Sequence, residues 1–149
     1  IAGGASIISF NMSEDDVVTL MKQPWMMGST DGDLTAPSAA LIHPRNNGAM
    51  ARRISYYVRE TGAVSLEHAV RTMTSLPAQV FGFTDRGEIR AGAFADVVVF
   101  DLKRVQDRAT YEKPHELADG FDWVIVNGQI ARREGEFTGA RGGVVLKRN

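Results

Sequence analysis

Residues 24–33 read Pro-Trp-Met-Met-Gly-Ser-Thr-Asp-Gly-Asp, an apolar run that stops at an acidic, glycine-containing turn. The apolar side chains of residues 25–27 predict a short buried strand, and the residues after them predict a turn at its C-terminal end. In α/β folds, reactive groups commonly follow the C-terminal ends of parallel strands. Asp31 is therefore the first candidate catalytic residue. On the local sequence alone, a purely structural role for Asp31 and Asp33 in stabilising the turn is the more frequent one.

The segments before this stretch predict a strand and a helix. Residues 5–10 carry three apolar side chains and predict a strand. Ser13 precedes three acidic residues, a pattern that caps a helix and stabilises its first turn, and Pro24 ends that helix. The order strand, helix, strand is typical of a parallel βαβ unit. Its two strands, 5–10 and 25–29, would end on the same edge of one sheet.

An irregular loop is predicted over residues 34–47, which contain two prolines and the polar sequence His43-Pro-Arg-Asn-Asn. A loop of about 14 residues is long enough to suspect a function such as lining an active site. A surface connection in which His43 and Arg45 are merely solvated explains the same sequence equally well. Both interpretations stay open at this point.

The remainder changes from helical to β character near residue 85. Helical spacing predicts helices over residues 48–60 and 77–82, and a further helix capped by Ser65 that carries a surface His68. The later strand predictions are residues 97–101 and the hairpin 123–131, whose Asn-Gly pair is a strong two-residue turn signal.

Composition indicates an ordinary globular domain. The 149 residues carry a net charge of −1 from 17 basic and 18 acidic residues. This nearly balanced charge does not indicate nucleic-acid binding and favours a small molecule or another protein as the partner. The chain has no cysteine, and the three histidines, His43, His68 and His115, are far apart, so an autonomous metal site is not expected. No membrane-span or signal-peptide pattern is visible, which favours a cytoplasmic enzyme. Because apolar structure starts directly at Ile1, the chain is expected to be the C-terminal portion of a longer polypeptide.

The order of the motifs resembles the C-terminal third of the D-aminoacylases, the N-acyl-D-amino-acid deacylases of the amidohydrolase superfamily. The resemblance covers about residues 1–146. Its generic part is Gly92-x-x-Ala-Asp-Val-Val-Val-Phe-Asp with a later Val-Asn-Gly, shared by many amidohydrolases. The parts that narrow it to the deacylases are the His43-Pro-Arg segment and the stretch from Thr110 to His115.

This resemblance implies the α/β fold of a metal-dependent hydrolase. Residues 1–85 would supply the last βα units of a (β/α)8 barrel, with 5–10 and 25–29 as its strands seven and eight. Residues 86–149 would supply the C-terminal part of a small, mainly β, sandwich-like domain. Zinc is the implied cofactor. Its ligands in the family belong to earlier strands, so no metal ligand is assigned to this chain.

The implied reaction is hydrolysis of N-acyl-D-amino acids to a carboxylate and a D-amino acid. Asp31 resembles the aspartate that takes a proton from zinc-activated water and returns it to the departing amine. Arg45 resembles the arginine that holds the substrate α-carboxylate, a task suited to a permanently charged guanidinium. The motif here reads Ser-Thr-Asp-Gly-Asp where the family pattern is Ser-Asp-Gly, so Asp33 stays an alternative base.

Two other functions stay open. The generic β-domain signature also fits amidohydrolases that open cyclic amides, such as dihydropyrimidinases and dihydroorotases, although the His-Pro-Arg segment argues against them. Since the metal ligands are expected outside the chain, the isolated 149 residues are expected to be inactive, and a noncatalytic fragment or assembly module is the second alternative.

Overall fold

The computed structural model describes residues 9–33 and 42–147. Residues 1–8, 34–41 and 148–149 lie outside the described part. Helices precede the strands along the chain, and their bounds are α1 Glu14–Met21, α2 Arg45–Arg52, a π-helix Arg53–Glu60 that continues α2, α3 Leu66–Met73 and α4 Ser75–Phe81. The strands are β1 Val97–Phe100, β2 Phe121–Val126, β3 Gln129–Arg133 and β4 Glu136–Phe137.

Two helix starts confirm the predicted caps. The Asp16 backbone N–H donates to Ser13 Oγ at 3.1 Å, and the His68 backbone N–H donates to Ser65 Oγ at 3.2 Å. Each bond satisfies a donor that the first turn of the helix would otherwise leave without a partner.

The predicted loop over 34–47 is wrong at its C-terminal end, because α2 already begins at Arg45. Pro44 immediately precedes the helix with φ −52°, an angle that the proline ring fixes close to the helical value. The helix α4 likewise begins at Ser75, two residues before the predicted start, and ends as expected before Gly82, whose φ is +78°.

The predicted strand over residues 25–29 is also wrong, since no strand is assigned there and Trp25 is 62% exposed. A strand needs the hydrogen-bonding edge of a neighbour, and the described residues offer none at this place. The Gly28 N–H donates instead to the Thr72 carbonyl at 2.8 Å. Of the other predicted barrel strand, 5–10, all but Ser9 and Phe10 lie outside the described residues, and these two are not in a strand.

The four strands form one antiparallel sheet in the order β1-β2-β3-β4. Asn127 and Gly128 join β2 to β3 with φ +48° and +78°, the positive angles that a type I′ turn needs. The predicted hairpin is therefore confirmed.

Two small cores hold the helices together and connect them to the β half. Met21, Tyr57, Val64 and Ala69 form the first core. The second contains Ala51, Ile54 and the fully buried Val105, with Phe100 and Phe121 packed against it. The helices thus pack on the segment that follows β1. The proposed division of the chain near residue 85 stays a prediction.

Polar bonds strengthen this contact. Ser55 is fully buried on the π-helix and donates to Asp107 at 2.6 Å. Arg59, on the same helix, donates to the carbonyl oxygens of Leu102 and Val105. Together they fix α2 and its π-helical continuation against residues 101–107, which gives the N-terminal end of α2 a defined position. None of the helices within residues 9–33 and 42–147 is long and apolar enough to cross a membrane.

Candidate active site at the start of helix α2

Asp31 and Arg45, the two residues singled out for catalysis and substrate binding, lie side by side. Arg45 Nη2 is 2.8 Å from Asp31 Oδ2. The carboxylate side chain is 90% exposed and the guanidinium side chain 43% exposed, so both can be reached by a solute. The structure therefore brings a proton acceptor and an anion-binding group to one place on the surface.

The turn that carries Asp31 is attached directly to the start of α2. Thr30 Oγ1 donates to the Arg45 carbonyl at 3.1 Å and accepts the Gly32 N–H at 3.1 Å. Asn46 Nδ2 donates to the Asp33 carbonyl at 2.8 Å. These bonds hold the turn and the helix together independently of the ion pair.

Gly32 is required by this close approach. A Cβ atom at this position would lie 2.9 Å from Asn46 Cα and 3.3 Å from the Arg45 carbonyl oxygen. The first distance is shorter than real Cβ contacts, and the atom it meets belongs to the helix backbone, which cannot rotate away.

Asp33, the alternative base, has a different environment. Its backbone carbonyl binds Asn46, whereas its carboxylate makes no hydrogen bond or ion pair with another residue of 9–33 or 42–147. Only Asp31 joins its carboxylate to Arg45 in this part of the chain.

His43 supports the helix start. Its Nδ1 accepts the Arg45 N–H at 3.0 Å, which places the proton of a neutral ring on Nε2. Partial burial and the nearby Arg45 guanidinium lower the His43 pKa, against a smaller opposite influence of Asp31. The lowered pKa favours the neutral ring, and His43 positions the start of the helix through its bond to the Arg45 N–H.

Tyr111 completes the cluster from a distant part of the sequence. Its ring packs edge-on against His43 at 5.4 Å and against Phe10 at 5.5 Å, and its hydroxyl lies 3.5 Å from His43 Nε2. Asn47 Nδ2 donates to the Pro114 carbonyl at 3.0 Å nearby. The stretch from Thr110 to His115 thus docks on the start of α2.

Thr30 and Tyr111 are the site residues that the sequence reasoning missed. Thr30 stands where the motif departs from the family pattern, and Tyr111 lies in the stretch that distinguishes the deacylases. Both residues therefore lie in motifs that the sequence analysis singled out. Their contacts join residues far apart in the sequence, Thr30 to Arg45 over 15 positions and Tyr111 to His43 over 68, and sequence periodicity cannot reveal such contacts.

The cluster alone does not make a metal site. Residues 9–33 and 42–147 contain no group of three or more His, Asp or Glu side chains that could hold a metal ion. The His68 Nε2 lies 2.8 Å from the Met21 carbonyl oxygen. The described residues therefore do not fit zinc by themselves, and the chemistry that they offer is proton transfer and carboxylate binding.

A model of the amidohydrolase family matches residues 9–132. The chain belongs to the amidohydrolase family. This amidohydrolase is 44% identical to the D-aminoacylase of Alcaligenes xylosoxydans xylosoxydans over 145 residues, which cover 97% of the chain and 29% of that relative. The predicted resemblance to the deacylases is thereby confirmed.

A solved relative gives the same result. The N-acyl-D-glutamate deacylase of Bordetella bronchiseptica, crystallised with zinc and a phosphonate mimic of the tetrahedral intermediate, is 42% identical. The two structures match with a TM-score of 0.75 over 87% of this amidohydrolase and 28% of the deacylase. The chain thus has the fold of part of an amidohydrolase, including a small antiparallel sheet, and spans less than a third of the length of these relatives.

Dihydroorotases, which represent the cyclic-amide alternative, match shorter parts of this amidohydrolase. The enzyme of Archaeoglobus fulgidus is 44% identical over 69 residues, or 43% of the chain. The similarity to the deacylases therefore extends over more of the sequence.

Proposed function

We propose that this chain is the C-terminal portion of a zinc-dependent N-acyl-D-amino-acid deacylase. The observation that carries the proposal is the contact between Asp31 and Arg45, in a chain similar to deacylases over nearly its whole length. The complete enzyme would hydrolyse the amide bond of an N-acyl-D-amino acid to a carboxylate and a D-amino acid. We also propose that the complete enzyme is cytoplasmic and that its substrate is a small molecule.

Arg45 is the substrate clamp. Its guanidinium binds the α-carboxylate through two parallel N–H donors and stays charged at every working pH. Its backbone position is fixed because the Arg45 N–H binds His43 and the Arg45 carbonyl binds Thr30.

Asp31 is the general base and then the general acid. Its carboxylate accepts a proton from the water that attacks the amide carbonyl, and it returns this proton to the nitrogen as the carbon–nitrogen bond breaks. The amine then leaves as a stable neutral group. The Asp31 side chain is 90% exposed on the turn, so the substrate and the attacking water can reach it.

Substrate binding changes the partner of Arg45. In the described structure the Asp31 carboxylate binds the Arg45 guanidinium, at the position that a substrate carboxylate would take. An exposed ion pair contributes only about 0–1 kcal/mol, so a bidentate substrate carboxylate can displace Asp31 and free it for proton transfer.

Zinc would be bound by residues outside the described ones. When bound, the ion acts as a Lewis acid and makes water easier to deprotonate near neutral pH. We place residues 1–85 in the last βα units of a (β/α)8 barrel and residues 86–149 in a small, mainly β, sandwich-like domain.

The test uses the full-length polypeptide that contains this chain, supplied with zinc, and measures amine release from N-acetyl-D-methionine and its L-enantiomer. Release from the D-form alone would support the proposal. Release from neither, together with ring opening of dihydroorotate or dihydrouracil, would overturn it in favour of a cyclic-amide hydrolase.

A further inference from the structure

The hydroxyl group of Thr30 joins the turn that carries Asp31 to the helix that carries Arg45. Its oxygen donates to the Arg45 carbonyl and accepts the Gly32 N–H, each at 3.1 Å. One side-chain atom therefore contacts the backbone of the proposed clamp and the backbone on the far side of the proposed base. The preceding residue, Ser29, is also an exposed hydroxyl residue but forms no hydrogen bond with other residues of 9–33 or 42–147.

The two bonds fix different degrees of freedom. The bond to Gly32 closes the turn around Asp31 in the manner of a side-chain-capped turn, which sets the direction of the Asp31 side chain. The bond to Arg45 sets the separation between that turn and α2. A second hydrogen bond, from Asn46 to the Asp33 carbonyl, also joins the turn to α2. It lies on the C-terminal side of Asp31 and therefore cannot orient Thr30, the residue on the N-terminal side.

Thr30 immediately precedes Asp31 in the motif Ser29-Thr-Asp-Gly. A restraint on its side chain therefore acts on the residue next to the proposed base. The hydroxyl bridge to Arg45 provides that restraint.

We propose that Thr30 is a positioning residue that sets the geometry between Asp31 and Arg45. This inference rests on the proposed roles of those two residues. Thr30 itself does not contact the reacting atoms. It acts through the backbone of Gly32 and Arg45, so its removal should misplace the base relative to the bound substrate.

The experiment compares T30V, T30S and the neighbouring control S29A in the full-length, zinc-loaded polypeptide. Valine has nearly the shape of threonine without the hydroxyl, and serine keeps the hydroxyl. For T30V we expect kcat/KM to fall about tenfold or more, the effect of losing roughly one well-placed hydrogen bond. For T30S and S29A we expect kcat/KM to stay within about threefold of the wild-type value, which corresponds to a difference below about 1 kcal/mol. Zinc content should be unchanged in all three.

A double-mutant cycle separates positioning from general loss of structure. If Thr30 acts through the geometry between Asp31 and Arg45, the T30V effect should largely disappear in an R45A background, since the clamp that it aligns is gone. Wild-type kinetics in T30V, an equal loss in T30S, or a full T30V effect retained with R45A would each overturn the proposal.

The substrate of this series is whichever amide the wild-type enzyme hydrolyses in the panel above. Ring opening of a cyclic amide, without amine release from N-acetyl-D-methionine, would therefore refute the proposed function. The comparison of T30V with wild type on the hydrolysed amide would still decide the role of Thr30.

Discussion

Asp31 and Arg45 form a 2.8 Å ion pair although they are 14 positions apart in the sequence and Arg45 begins a new helix. The pair joins the turn that carries Asp31 to the first residue of α2. The proposed function assigns one role to each member: Asp31 accepts a proton, and Arg45 binds the substrate carboxylate. Under the proposed roles, binding of the substrate carboxylate to Arg45 would release the Asp31 carboxylate.

Replacement of Arg45 should separate carboxylate recognition from chemistry. In the full-length enzyme, R45A should raise KM for N-acetyl-D-methionine by about tenfold to a hundredfold, the loss expected for charge-assisted hydrogen bonds. It should change KM little for N-acetyl-D-methioninamide, which has no carboxylate. Steady-state kinetics on both substrates measure this difference. R45K, which keeps the charge without the planar fork, should be intermediate. An unchanged KM for the acid in R45A would show that the clamp lies elsewhere.

Replacement of Gly32 should disturb the site with little effect on the fold. The new Cβ in G32A would meet the backbone of Asn46 at 2.9 Å, so the turn must move away from α2 and carry Asp31 with it. We expect a fall of about tenfold or more in kcat/KM, since small misplacements of catalytic groups are costly. The control is G143A, because a methyl group at Gly143 would have no heavy atom within 4 Å and the residue has no positive φ. Equal activity of both variants would contradict the close packing of the turn on the helix.

The His43 pKa predicts a pH dependence of stability. Burial first, and the Arg45 charge second, lower this pKa in the folded state, so the unfolded chain binds a proton at a higher pH than the folded one. Stability due to neutral His43 is therefore present above about pH 6.5 and is lost as the pH falls from there through the folded pKa. H43N keeps an acceptor for the Arg45 N–H but does not titrate. The melting temperature of wild type should fall relative to that of H43N on acidification from pH 7. If the melting temperatures of wild type and H43N changed equally with pH, the His43 pKa would not be lowered by folding.

Gly48 offers a stabilising change. It is buried in α2, and a methyl group there would make ordinary contacts with the Cβ atoms of Asp107 at 3.5 Å and Ala109 at 3.7 Å. Since glycine in a helix costs about 0.5–1 kcal/mol relative to alanine, G48A should raise stability by about that amount. Thermal unfolding of the full-length enzyme would show a higher melting temperature for G48A. A decrease would mean that α2 packs more tightly on residues 107–109 than the structure shows.

The features predicted correctly from the sequence depend on residues close together. The Ser13 and Ser65 caps each involve a donor three positions away, and the Asn127-Gly128 hairpin depends on a dipeptide. The strand over 25–29 failed because strand formation depends on partner strands, which local pattern does not supply. The helix start at Arg45 was missed because Pro44 precedes it without a side-chain cap, and the Arg45 N–H bonds instead to the His43 ring, which is not among the usual cap residues.

The same contrast between local sequence signals and long-range contacts applies to the candidate site. The resemblance nominated Asp31 and Arg45 separately, from motifs, but neither motif implied that the two side chains touch. Thr30 and Tyr111 were not nominated at all, because their contacts with Arg45 and His43 arise only when the chain folds. Sequence thus indicates which chemical groups are present, whereas their mutual distances require the tertiary structure.

Proton transfer by Asp31 is the step on which the proposed function depends, and it is tested by kcat for N-acetyl-D-methionine in D31N and in D33N of the full-length, zinc-loaded enzyme. Asparagine keeps the shape of the side chain but cannot act as a base. We expect D31N to lose activity by about a hundredfold or more, the usual contribution of general acid–base catalysis, with its zinc content largely intact. D33N should stay near wild type. Substantial activity in D31N, or its loss in D33N alone, would refute this assignment and move the base away from the Asp31–Arg45 pair.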